Sequence, residues 1–421
     1  MWLLFDILFF IYILLYLPIL IIRGKWHDGM KVRLGFIPRD IHAKLTGRRN
    51  IWLHAVSVGE VIAVEGIIKR LRAQYPDRQI VLSVTTRTGH SLAQRKYQNV
   101  ALVIWSPLDF SFTARAFVAA IRPEIYIAAE TELWPNLFTC LTEEKVKILI
   151  VNGRISDEAF PRYKMVRWAL KSLLSKVCVF CMQSGLDAER IVQLGAPAER
   201  VKNVGNVKFD IVPDGTAARP GDIGFNEGQM VWVAGSTHPG EEEIVVNIYE
   251  GVRTSFPTLR LVIAPRHPER ARGIVEMIRK AGFSPVLFSS ERKAPLEPRE
   301  ILVVDTIGHL LELYSVATVV FVGKSLTVKG GHNIIEPAVF GKPILTGPHM
   351  GNFKDIARVF LADQAVAQVP DAFALKHELS RLLSSADERV QLGRRAYDVI
   401  RKNRGAIGRT LDVIVREVDE S

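Results

Sequence analysis

The segment Gly330-Gly331-His332-Asn333-Ile334-Ile335-Glu336-Pro337 joins two glycines, a helix-capping Asn and a carboxylate directly after the apolar run Thr318 to Val322. The pattern reads as strand, glycine turn and helix, with Asn333 as N-cap, Glu336 three residues on and Pro337 tolerated in the first turn. Paired glycines ahead of a helix let bare backbone approach a phosphate, which free N–H groups and the helix dipole then hold. Glu336, one turn in, is placed to reach ribose hydroxyls. An ordinary capped helix is the competing reading; the glycine pair and the Pro after the Glu favour a nucleotide site.

Glu60 is the second residue of interest. Ser57-x-x-Glu60 is a capping box opening a helix over 61–75, and that role alone accounts for the pattern. The functional reading makes Glu60 a general base, held at low pKa by the helix N-terminus and therefore ionised but weakly basic. Arg266, in Ala264-Pro265-Arg266-His267, follows an apolar run and is placed to pair with a phosphate. A surface Arg beside a helix cap explains it equally well. Asp305-Thr306-Ile307-Gly308-His309-Leu310 has the same strand-to-helix position, and Gly308 lets a base or ribose lie close. Gly347-Pro348-His349 with Asn352-Phe353 reads as another turn beside the site. The chain lacks Asp-x-Asp, Walker A, Gly-x-Gly-x-x-Gly, His-Glu-x-x-His and Gly-x-Ser-x-Gly patterns. Transfer without metal from a donor with one phosphate link is coherent with this, because Arg266 and helix N-termini can stabilise a leaving monophosphate.

These residues need strands to aim them. Apolar runs alternate with amphipathic helical stretches, which implies parallel α/β sheets. One strand series is 51–55, 80–84, 101–105, 125–128, 148–151 and 177–182; a second is 230–234, 259–264, 301–304, 319–322 and 343–345. Between them, 210–228 has two Pro, four Gly and no apolar periodicity, and reads as a linker. The expected fold is two doubly wound Rossmann-like domains facing a cleft, over 23–209 and 229–385, with an anchor helix over 1–22 and a helical segment over 386–421. The halves echo each other: Trp52 to Glu60 and Val233 to Glu241 are both strand, Ser turn, Gly-Glu and helix. In doubly wound domains such turns fall at the carboxyl ends of strands, where ligands bind.

The chain has 421 residues, 48% apolar and 24% charged, enough for two separate cores. Cys140, Cys178 and Cys181 are too few for a disulfide framework, and Cys178-x-x-Cys181 has no second pair to complete a zinc site. Residues 2–22 are almost continuously apolar, interrupted by Asp6 and Pro18, and Arg23, Lys25, Lys31 and Arg33 follow. That run is long enough to cross a bilayer, and the positive-inside rule keeps the body of the protein on the cytoplasmic side. A tilted or interfacial anchor is the alternative. The net charge of +11 fits an anionic membrane surface or an acidic lipid better than nucleic acid, for which no recognition motif is present. Phe160 to Trp168 mixes aromatic and basic residues, as a face for lipid headgroups or a helix packed on its sheet.

Several stretches together resemble the Kdo transferase family: 54–61 (HAVSVGEV), 130–136 (ETELWPN), 152–156 (NGRIS), 205–210 (GNVKFD), 236–241 (STHPGE), 265–268 (PRHP) and the Gly-Gly-His-Asn segment. The resemblance runs in order from the N-terminus to about residue 368. It implies a GT-B architecture and a metal- and cofactor-independent, inverting transfer of 3-deoxy-D-manno-oct-2-ulosonic acid (Kdo) from CMP-Kdo to the lipid A precursor, lipid IVA. It also implies attachment at the cytoplasmic face of the inner membrane. By motif, Glu60 is the proton acceptor, and Pro265, Arg266, Ile307, Gly308, His309, Asn333, Ile334, Ile335 and Glu336 bind CMP. Lys208 would face the donor's carboxylate or phosphate. His309 stands where the family pattern has an acid, and Lys324 where it has a second glycine. The rival readings are a UDP-sugar transferase of the same fold and a basic, membrane-tethered nucleotide- or nucleic-acid-binding module.

Overall fold

Apolar runs flanked by amphipathic helices form two parallel sheets, because a strand buried on both faces carries no polar alternation. The computed structural model describes residues 6–7, 10–11, 29–210, 218–290 and 294–420. The first sheet contains β1 (Arg49–Ala55), β2 (Arg78–Val84), β3 (Leu102–Trp105), β4 (Pro123–Ala129), β5 (Lys147–Gly153), β6 (Val179–Met182) and β7 (Val201–Asn203), in the order β3-β2-β1-β4-β5-β6-β7. The second contains β8 (Met230–Thr237), β9 (Leu259–Pro265), β10 (Ser284–Leu287), β11 (Glu300–Val303), β12 (Val319–Val322), β13 (Ile344–Thr346) and β14 (Ala367–Gln368), in the order β10-β11-β9-β8-β12-β13-β14. All eleven expected strands form, and β7, β10 and β14 add short ones at or beside the sheet edges. In each sheet the first strand, β1 or β8, is flanked by strands reached in opposite directions. Loops leaving its carboxyl end therefore border a crevice that crossing helices do not fill.

The chain divides into two units, Met1–Asp210 with Arg404–Ser421, and Ile211–Asn403. The segment 386–421 is thus two helices with different attachments. Helix Ala386–Asn403 belongs to the second unit, whereas Ala406–Asp419 buries Leu411, Ile414 and Val418 in the core of the first sheet. Asp210 fixes that return by accepting the N–H groups of Gly405 and Ile407. The described part of the linker, 218–228, is built into the second unit: Ile223 and Phe225 are buried, and the Gly224 carbonyl accepts the Leu296 N–H at 3.0 Å. The expected anchor over 1–22 lies almost wholly outside the described residues. Among the described residues no helix is long and apolar enough to cross a membrane.

Glu241, fully buried at the start of helix Glu241–Arg253, sets the loops of the second unit. Its Oε2 accepts the N–H groups of His238 at 3.0 Å and Lys324 at 2.7 Å, and its Oε1 those of Ser325 and Leu326, both at 3.0 Å. One carboxylate therefore ties the turn after β8 to the loop after β12. Lys324 is held there at φ +57, a left-handed conformation that glycine adopts without strain. Replacing one carboxylate oxygen by an amide NH2 turns acceptance into donor–donor conflict with these amides. Each charge-assisted bond is worth about 1.5–3 kcal/mol, so Glu241→Gln is expected to cost the second unit at least ~3 kcal/mol. Thermal unfolding followed by circular dichroism should show the midpoint falling by about 6–12 °C; an unchanged midpoint would contradict the brace.

Candidate functional site

In the first unit, β1 delivers the chain to Ser57, whose hydroxyl caps helix Val58–Ala63. The helix begins earlier than the sequence pattern indicated and breaks at Val64 before resuming at Glu65. The capping box is real but incomplete as an explanation. Val56 N–H donates to Glu60 Oε2 at 2.6 Å, and Ser57 Oγ donates to Oε1 at 2.9 Å. Each carboxylate oxygen keeps a further lone pair. The side chain is 6% exposed, and burial pushes its pKa up to about 7; the Val56 amide opposes this and Glu130 adds to it. The expectation of a low pKa is thereby overturned: burial away from water outweighs the helix N-terminus and the hydrogen bonds from Val56 and Ser57.

After β4, Glu130 takes φ +57 and Glu132 joins Glu60 electrostatically. Burial, then Glu60, then Glu130 push Glu132 up to about 7. Reciprocal bonds between Thr131 Oγ1 and the Arg154 backbone, 2.7 and 2.9 Å, brace that turn against the end of β5. The signal for these acids was in the sequence, as paired carboxylates directly after a strand, but only Glu60 was assigned a role. Lys208 also belongs to this unit, half-buried in the short helix Val207–Asp210. Its loop is held by a polar chain: Val207 N–H donates to Asn152 Oδ1, Asn206 Nδ2 to Gln183 Oε1, and Gln183 Nε2 to the Asn152 carbonyl. His54, from the same motif as Glu60, is a buried core histidine, 2.9 Å from Ser83 Oγ through Nδ1.

In the second unit the other expected residues collect on loops at strand carboxyl ends. Pro265 ends β9, and Arg266 follows with its N–H on the Thr237 carbonyl and its side chain exposed. Ile307 is 86% exposed, unusual for an isoleucine, and Gly308 adopts φ +105 beside it. His309 contacts Glu312 at 3.2 Å and the ring of Phe288 at 4.7 Å between centroids. Asn333 does not cap a helix directly: the helix is Ile335–Val339, preceded by Ile334. Instead Asn333 accepts the Ile335 N–H through Oδ1 and donates Nδ2 to Glu336 Oε1, each at 3.1 Å. Burial raises the Glu336 pKa, with Asn333 and Arg266 opposing. Ile334 and Ile335 are buried and anchor the loop.

The glycine pair has a different purpose from the one expected. Gly330 N–H donates to the His349 carbonyl at 3.2 Å and Gly331 N–H to the Lys324 carbonyl at 2.6 Å, so neither amide is offered to a phosphate. Gly331 sits at φ +70, and a Cβ there would lie 2.6 Å from Met350 Sδ. Positive charge comes instead from side chains: Arg266 and Lys324 stand beside His238, His267 and His332. Sequence reasoning passed over His238 and Glu241, although the repeated strand-turn-Glu plan pointed to both. Among the described residues no group of three or more His, Cys, Asp or Glu side chains is arranged to hold a metal ion.

The family model described as 3-deoxy-D-manno-octulosonic-acid transferase matches residues 28–211. The 3-deoxy-D-manno-octulosonic acid transferase of Haemophilus influenzae is 31% identical over 407 residues, covering 96% of this chain and 94% of its own length. That of Bordetella pertussis is 29% identical over 400 residues, covering 93% and 92%. A crystal structure of a glycosyltransferase from Rickettsia africae superposes with a TM-score of 0.55 at 11% identity, over 89% of this chain and all of that one, a likeness of fold alone. The two parallel-sheet units are structurally similar to those of GT-B glycosyltransferases. With nearly a third of its residues shared along almost its whole length, the chain belongs to the 3-deoxy-D-manno-octulosonic acid (Kdo) transferase family of glycosyltransferases.

Proposed function

We propose that this Kdo transferase takes Kdo from CMP-Kdo and attaches it, with inversion and without a metal or other cofactor, to a hydroxyl of the lipid A precursor lipid IVA, using Glu60 as general base. The observation that carries the reading is the state of Glu60: buried, hydrogen-bonded at both oxygens and raised to about 7, where a general base is most effective at neutral pH. Its capping contacts and its basicity are compatible, because each oxygen retains an acceptor site. The acceptor hydroxyl would give its proton to Glu60 as its oxygen bonds to the anomeric carbon. The bond to phosphate breaks, and its electron pair leaves with CMP. Arg266 and Lys324 supply positive charge for that phosphate, and Glu336, oriented by Asn333, takes the ribose hydroxyls. Pro265, Ile307, Gly308 and His309 bound the nucleoside, and Lys208 serves the donor's carboxylate or phosphate.

Membrane attachment by the N-terminal segment, on the cytoplasmic face of the inner membrane, is part of the same proposal. Helices Ala159–Met165 and Arg167–Leu174 carry Arg162, Lys164, Arg167 and Lys171 and no acidic residue. Met165 and Trp168 are 81% and 80% exposed. An apolar tip ringed by cations suits an anionic lipid surface, and nucleic acid is not a partner in this reading.

Full-length protein incubated with CMP-Kdo, tetraacylated lipid A precursor and EDTA should yield a lipid heavier by Kdo in mass spectrometry. Free CMP without that lipid would sink the acceptor assignment, and competition by UDP but not CMP would sink the donor. Glu60→Gln is expected to lower kcat by about 10²–10⁴ with CMP affinity held within a few-fold. The carboxylate is the active form, so the wild-type rate should fall as pH drops below about 7 and Glu60 protonates. A flat profile from pH 5.5 to 8 would remove it from the mechanism. Met165→Glu with Trp168→Glu should raise KM for acceptor in anionic vesicles about tenfold, leaving kcat in place; an unchanged KM would clear that face of lipid contact.

A further inference from the structure

His238 and His332 bring Nε2 to Nε2 at 3.2 Å, with ring centroids 5.3 Å apart and planes inclined by 25°. At that distance one imidazole must donate a proton and the other accept it. The rings come from the turn after β8 and the loop after β12, neighbouring strands of the second sheet. Both segments are pinned by the Glu241 carboxylate, at the His238 and Lys324 N–H groups, and Gly331 is tied back to the Lys324 carbonyl. The pair is therefore a positioned feature of the crevice beside Arg266.

The groups around it are almost all cationic. Arg266, Lys324 and His267 act on His332; Lys324, His267, Arg270 and the single carboxylate of Glu241 act on His238. Glu241 already accepts four amides, and Arg270 is paired with Glu242 at 2.8 Å. Burial first, then Arg266, press His332 down to about 3, and burial first also lowers His238. In the free protein the pair is neutral and shares one proton. A bound anion reverses the local sign and favours a second proton.

We propose that the His238–His332 pair is the proton donor to the departing phosphate of the sugar nucleotide, with His332 delivering the proton and His238 resupplying it. This rests on the reading above that the donor's phosphate lies at Arg266. Arg266 is the charge that acts most strongly on His332, which puts His332 at the phosphate end. The bound phosphate and the Kdo carboxylate bring the pair to its singly charged state with three ring protons, in which His238 Nε2 donates to His332 Nε2 and His332 Nδ1 carries a proton. As the anomeric C–O bond breaks, its electron pair passes to the phosphate oxygen, which takes the proton from His332 Nδ1 while the His238 Nε2 proton passes to His332 Nε2. The acceptor oxygen makes the new bond, and its proton goes to Glu60. CMP departs, the pair is again neutral with one shared proton, Glu60 loses its proton to solvent, and the pair regains one with the next donor.

The test uses full-length enzyme with CMP-Kdo and lipid IVA, the pH dependence of kcat, and CMP binding by calorimetry. Imidazolium is the active form, so wild-type kcat is expected to fall as pH rises through the pair's apparent pKa in the donor complex. His332→Ala should lower kcat about 100-fold, abolish that alkaline limb, leave CMP affinity within about threefold, and recover rate when imidazole is added. His238→Asn should keep CMP binding and move the limb to lower pH. Wild-type kcat and an intact limb in either variant would overturn the proposal, as would a loss of CMP binding as large as the loss of rate. If wild-type enzyme neither binds CMP nor turns over CMP-Kdo, the donor reading fails with it. Normal turnover with an unaltered His332→Ala profile fails the proton donor alone.

Discussion

The four N–H groups gathered by the Glu241 carboxylate join loops more than eighty residues apart in sequence, and the chemistry of the second unit is arranged around that join. A parallel sheet leaves its connecting loops at the strand ends without partners in the ladder, so they need another source of order. Here a buried anion supplies it: its own desolvation is offset by amides, and the amides are satisfied in return. Lys324 is held left-handed as a consequence, Gly331 closes on its carbonyl, and His238 and His332 are brought face to face. A glycine would take the backbone of residue 324 more easily, but only a lysine adds charge beside Arg266 and the histidines.

Glu60 occupies the equivalent place in the first unit and has the opposite fate. Both acids follow the first strand of a parallel sheet and open a helix. Glu241 reaches across to a second loop and is saturated with donors. Glu60 reaches only its own turn, where Val56 and Ser57 donate to it, and faces Glu130 and Glu132 as companions. Burial with too few donors is what makes a carboxylate basic, so one sequence plan yields a structural anion and a candidate base.

The central strands were legible because each is a short, nearly continuous apolar run, and burial on both faces of a parallel sheet demands that. β7, β10 and β14 were not, since they are short and partly exposed, and their residues carry little apolar signal. The 218–228 segment looks like a linker by composition, yet Ile223 and Phe225 are buried. Periodicity cannot register two isolated anchors. Helices Ala386–Asn403 and Ala406–Asp419 read as one charged helical tail, while Gly405, at φ +91, lets the chain change direction between two cores.

By itself the sequence determined the doubly wound fold and the motifs that carry the family. It also supplied the candidate site residues, Glu60, Arg266, Asn333 and Glu336 among them. These depend on local pattern: apolar runs, caps, and short motifs at strand ends. Tertiary structure decided what those residues are chemically. Whether Glu60 is a weak or an effective base depends on how much water surrounds it and how many amides reach it, and both are set by distant segments. Gly330 and Gly331 spend their amides on His349 and Lys324 rather than on a phosphate for the same reason. The proton shared by His238 and His332 exists only because two loops, 94 residues apart between those rings, meet on adjacent strands.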